Sequence, residues 1–94
     1  MKKLSRFALM RFFVPIGIEG QKQMHQLCVK LDDGSAWTLV VQTEGRMIPD
    51  DPTADVVNWT LLRCEPLVEE FPKTKKDFDF ITGSKIVGQG RFVL

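Results

Sequence analysis

The sequence predicts a mostly β domain, or α+β once its one short helix is counted. The expected form is a single small antiparallel sheet or a partly open barrel of about five strands. Three observations lead there. Residues 24–42, MHQLCVKLDDGSAWTLVVQ, hold two β-branched and aromatic runs around a turn. Further apolar runs at 5–16, 58–64 and 77–81 are bounded by Gly or Pro. The length, 94 residues with 44% hydrophobic and 27% charged, suits one globular domain with one modest core.

The first run, SRFALMRFFVPI, is apolar on both alternating faces, with Phe7, Leu9 and Phe13 on one and Ala8, Met10, Phe12 and Val14 on the other. A helix can hold this pattern too, but three Phe, Val14 and the stop at Pro15 favour a strand. Two apolar faces imply a central strand or one covered by a helix. A polar, Gly-containing loop at 17–23 leads to the hairpin.

Two hairpin loops are possible. With two residues in the loop, Leu27, Val29 and Leu31 share a face with Ala36, Thr38 and Val40. With three, Asp32, Asp33 and Gly34, they share it with Ser35, Trp37, Leu39 and Val41. A one-residue slip moves every side chain to the other face, so the apolar pattern selects the three-residue loop. Gly34 then supplies the positive φ of its last position.

After a loop at 43–51, Asp51 and Pro52 read as a helix start, with a short helix or turn to about Val57. In 58–64 Trp59 and Leu61 share one face, and Thr60, Leu62 and Cys64 the other. Residues 65–76, EPLVEEFPKTKK, form a proline-punctuated arm: Pro66 and Pro72 cannot donate to a ladder, which points to an edge, crossover or exposed arm. In 77–81 Phe78 and Phe80 alternate with Asp77 and Asp79, a half-buried strand with a charged outer face. A turn at 82–84 precedes the last strand, where Gly88 and Gly90 suggest a bulge or tight bend.

The formal charge is +1, which excludes a strongly basic polyanion binder and an acidic DNA mimic alike. Its distribution is uneven. Residues 1–11 hold four bases and no acid, residues 32–70 nine acids against two bases, and residues 71–94 five bases against two acids. Either the ends pack beside the middle and neutralise it, or a bipolar surface steers a charged partner. Two cysteines without metal-ligand spacing fit a reducing cytoplasm. Arg6 and Arg11 leave only four apolar residues between them, too few for a signal peptide, and no run is long enough for a membrane span.

No catalytic set emerges. His25 is the single histidine, and it falls on the opposite strand face from Cys28. No metal or cofactor is implied by one His, two scattered Cys and loop acids. Asp50, Asp51 and Asp55 are accounted for by capping and the first helical turn. The glycine spacing of 83–88 resembles a phosphate loop, but Gln89 and Gly90 replace its Lys and Ser/Thr. The Asn58-Trp59-Thr60 glycosylation match has no meaning in a cytoplasmic chain.

Two binding classes remain. One is nucleic acid, with stacking platforms beside Arg11, Lys85 and Arg91, set against the core's own need for most of the Phe. The other is a protein partner engaged by the arm, where Leu67, Val68 and Phe71 have little secondary-structure cover. Its expected contacts are Phe71, Pro66, Pro72 and Leu67, with Arg63 and Lys73 at the rim. The peptide bonds before Pro66 and Pro72 also make a prolyl isomerase a candidate partner.

The stretches FALMRFFVPI (7–16) and HQLCVKLDDGSAWTLVVQTEG (25–45) resemble the small anti-RecBCD proteins of lambdoid phages. The resemblance covers about half the chain and rests on general texture. It implies a non-enzymatic inhibitor that docks on the host recombination nuclease-helicase, RecBCD, in the host cytoplasm and changes its action on DNA ends. It assigns no functional residue.

Overall fold

A computed structural model describes residues 5–18, 20–22, 24–49, 58–72 and 76–93. Among these residues are six strands: β1 (Arg6–Phe12), β2 (Met24–Leu31), β3 (Ala36–Gln42), β4 (Thr60–Pro66), β5 (Asp77–Thr82) and β6 (Lys85–Val93). They form a closed barrel in the order β1-β4-β3-β2-β5-β6, with every pair antiparallel. The mostly β expectation holds, with six strands rather than about five and a closed barrel rather than a partly open one. Closure pairs β1 with β6 and gives each of the six strands a neighbour on both sides, although β3 meets β4 through only three residue pairs. No helix occurs among the described residues, and the expected helix at 52–57 lies outside them.

The hairpin takes the predicted register. Leu27 faces Leu39 and Val29 faces Trp37, while Leu31 N–H donates to Ser35 O at 2.9 Å across a three-residue loop. Gly34 sits at φ 87°, as the loop's last position requires. Asp33 Oδ1 accepts from Ser35 N–H at 2.9 Å and from its hydroxyl at 2.6 Å, closing an Asx turn that pins this loop. Trp37 donates its indole N–H to Ser35 Oγ at 2.8 Å, which satisfies the one polar atom of a half-buried ring.

Alternation then fills the barrel. Ala8, Met10 and Phe12 point inward from β1, Val29 and Leu31 from β2, and Leu39 and Val41 from β3. Leu62 and Cys64 join them from β4, Phe78 and Phe80 from β5, and Phe92 from β6. Gly88 and Gly90 also point inward, where Phe12, Phe78 and Phe80 take the space their side chains would need. The β5–β6 register shifts beside Gly88, between Phe80 and Ile81, in keeping with the expected irregularity.

Two expectations are corrected. β1 is central, paired with β4 and β6, but it is not buried on both faces: Phe7 and Leu9, and Phe13 and Val14 just beyond it, are exposed. A closed barrel has only one inside, so the second apolar face of β1 must point out. Phe71, expected on an exposed arm, is 3% exposed. After Pro66 ends β4, Leu67 N–H donates to Thr38 O and a turn at 68–71 drives Phe71 inward. There it packs on Trp37 and Phe92, each with ring centroids 5.7 Å away. The segment 67–72 thus lays Phe71 on the core and leaves Val68 outside.

The two cysteines are free, Cys28 exposed and Cys64 buried. Burial pushes the Cys64 thiol up to about 12, despite the opposing charge of Arg6. A thiol reagent is therefore expected to label Cys28 alone in the native protein and both cysteines after denaturation. Rapid native labelling of Cys64 would show that the β1–β4 seam opens readily.

Candidate interaction face on β4, β1 and β6

The outward residues of β1 are Phe7, Leu9 and Arg11. Register sets Phe7 between Arg63 of β4 and Val93 of β6, and Leu9 between Leu61 and Arg91. Arg11 lies opposite Gln89. At ordinary strand spacings this lattice measures about 10 Å across the strands and about 13 Å along them. Its centre is apolar and open: Phe7 is 46% exposed, Leu61 51% and Val93 43%. Trp59, just before β4, and Phe13, just after β1, extend it at the Arg11 end.

The arginines lie on this apolar surface rather than away from it. The Arg63 guanidinium is 5.3 Å from the Phe7 ring centre. Arg11 lies 4.8 Å from the Trp59 ring and 5.6 Å from Phe13, and it donates through Nε to Gln89 Oε1 at 2.9 Å and to the same oxygen through its terminal nitrogen. Such stacking keeps the charge and its remaining donors at a defined place on an apolar surface. Arg91 differs, because Asp77 Oδ1 accepts from its Nε at 2.6 Å. That hydrogen bond, aided by the charge, holds the Asp77 carboxyl below its usual range and raises Arg91. The pairing is complete above the ordinary carboxylate range and fades as pH falls through the lowered Asp77 value. Between Leu9, Trp59, Asp77 and Arg91 lies a hollow of about 330 Å³.

The expected site residues scatter. Arg63, assigned to the rim of an arm site, is on the outer face of β4. Pro66, Leu67 and Pro72 are half-buried, Phe71 is in the core, and Lys73 lies outside the described residues. Arg11 and Arg91, expected for nucleic acid, share this face, whereas Lys85 is at the β5–β6 turn. From Arg91 to Lys85 is about 20 Å of strand at 3.3 Å per residue. The bonds before Pro66 and Pro72 are not cis. Phe7, Leu9, Trp59, Leu61 and Val93 were absent from the expected sites. Their signal was the second apolar parity in 5–16 and 58–64, legible as an outer face only once the barrel is known to close.

His25 is half-buried opposite Val41, and its Nε2 has no hydrogen-bond partner among the described residues. No group of three or more His, Cys, Asp or Glu able to hold a metal ion occurs among the described residues. Among the same residues, no helix is long and apolar enough to cross a membrane. In comparisons with known proteins, no family model, no curated protein and no solved structure matches this chain.

Proposed function

We propose that the chain is a non-enzymatic interaction module that docks a protein partner on the outer face of β4, β1 and β6. One observation carries this reading. Phe7, Leu9, Leu61 and Val93 adjoin one another across three paired strands and stay open, although the barrel has a full core of its own. Scattered exposed apolar residues need no explanation, but a contiguous group rimmed by arginine has the composition of an interface centre. The nucleic-acid alternative is supported by Arg11 between Trp59 and Phe13. It is weakened by the middle of the face, where Leu9, Leu61 and Val93 offer no ring for a base to stack on. The resemblance to anti-RecBCD proteins makes the host recombination nuclease-helicase the first partner to test.

The test compares the chain with a Leu9→Ser, Leu61→Ser double variant for binding to purified RecBCD and for effect on its DNA-end processing. One interface anchor is worth about 2 kcal/mol or more and neighbouring anchors do not add in full, so the double variant should bind at least about 30-fold more weakly. Because both side chains are partly in water already, its urea midpoint should move little. Absence of binding by the parent chain removes RecBCD as partner. Unchanged binding by the folded double variant removes the face.

A further inference from the structure

We propose that the partner presents an extended acidic segment to this face, with carboxylates at positions i and i+4 and a large apolar side chain at i+2. The inference rests on the docking role of the β4–β1–β6 face and adds the chemistry of what docks. Arg11 and Arg63 have no carboxylate partner among the described residues: Arg11 is held by the neutral Gln89 and by aromatic rings, and Arg63 by the Phe7 ring. The third arginine, Arg91, is matched by Asp77. Glu65 is the next acid on the outer side of β4, one strand step beyond Arg63 and opposite Val40. The face therefore has two guanidinium groups without a countercharge, one at each end of an apolar strip.

Their spacing sets the pattern. Arg63 lies beside Phe7, and Arg11 is four residues further along β1, with the Leu9–Leu61 pair between them. That diagonal is about 14 Å, from roughly 13 Å along the strand and about 5 Å across. An extended chain covers it in four residues and directs i, i+2 and i+4 to one side. A helix rises only about 6 Å over four residues and falls short. The middle side chain then meets Leu9 and Leu61 and reaches the hollow bounded by Leu9 and Trp59. The end carboxylates receive charge-assisted hydrogen bonds from guanidinium groups already positioned by their aromatic supports. A second copy of this chain fits poorly, because a two-fold contact centred on Leu9 and Leu61 sets Arg11 of one copy beside Arg63 of the other.

The probe is a capped peptide, Ser-Glu-Ser-Phe-Ser-Glu-Ser, titrated into the isotope-labelled chain and followed by amide NMR shifts. Its Gln-for-Glu counterpart and an oligothymidylate of about 15 nucleotides are titrated alongside. Shifts are expected at Leu9, Arg11, Leu61 and Arg63 with the Glu peptide, weakening as salt rises from about 0.05 to about 0.5 M. The Gln peptide should bind at least about tenfold more weakly. So should the Glu peptide on an Arg11→Gln, Arg63→Gln variant whose melting temperature is unchanged. Equal binding of the two peptides, shifts elsewhere on the barrel, no peptide binding, or tighter binding of the oligonucleotide would each overturn the proposal. Where the parent chain binds RecBCD, the docking face itself is judged separately by the Leu9, Leu61 double variant, so the acidic segment can fail while the face stands.

Discussion

Phe80→Ala is expected to lower the unfolding free energy by about 3–5 kcal/mol, most of the stability of a small domain at the lower end of its usual range. The ring is fully buried, with Phe12 at 4.7 Å and Phe78 edge-on at 5.2 Å between centroids. Truncation loses the transfer free energy of the ring and leaves a cavity whose walls belong to three paired strands. Those walls cannot collapse inward without breaking ladders. Urea denaturation provides the measurement, read as a lowered midpoint with an unchanged slope. A loss below about 1 kcal/mol would mean the barrel repacks freely around the gap. Phe71→Ala belongs to the same class, since that ring fills the space between Trp37 and Phe92. Loss of partner binding in a Phe71 variant would therefore report unfolding before it reported a contact.

Gly88→Val should be nearly as damaging, by overfilling rather than emptying. A Cβ at this position would stand 2.7 Å from Arg11 O, 2.8 Å from Phe12 Cδ1 and 3.2 Å from Phe80 Cδ2. The first of these is backbone in the β1–β6 ladder, so relief requires the seam that closes the barrel to part. Overpacking of a tight core costs about 1–3 kcal/mol, and strain on the seam adds to it. Hydrogen exchange distinguishes the two parts. The amides pairing β1 with β6 should lose more protection than those pairing β2 with β3. Uniform loss would show a global packing effect, and no loss would place the strands further apart than the register implies. At Gly90 the obstacle is the Phe78 ring, which occupies the place a Cβ would take and is itself held by Phe80 and Phe92.

These substitutions and those on the outer face remove or add comparable apolar groups with opposite consequences. Phe80 and Leu61 both sit on strands, each between one polar and one apolar neighbour. Leu61 is half in water, so its loss is expected to register in binding, while the loss of Phe80 registers in folding. Parity along a strand sorts residues into two sets without saying which set is inside. For the hairpin the sorting was decisive, because only one register collects Leu27, Val29, Trp37 and Leu39 together. For β1, with apolar residues in both sets, it was not.

The candidate site was legible in its parts and illegible as a whole. Arg11, Arg63 and Arg91 were each singled out by type and local context, in two separate groups. Residue pairs such as Arg63 with Phe7 and Arg91 with Leu9 are far apart along the chain and meet only through the ladders. The error at Phe71 has a related origin. β4 runs two residues further than expected and stops at Pro66, and the turn that sends the ring into the barrel depends on Trp37 and Phe92, distant residues that hold a space for it.

The chain's own order of residues determined the strand pattern, the three-residue hairpin loop around Gly34 and the charged outer face of Asp77 and Asp79, because these follow from steric and period-two constraints within a few residues. Tertiary structure alone decided that the sheet closes, that Phe71 is core, and that the second apolar parity of β1 becomes a surface. Closure is a pairing between the two ends of the chain, and whether an apolar side chain lies inside is settled only when all six strands have formed a single interior.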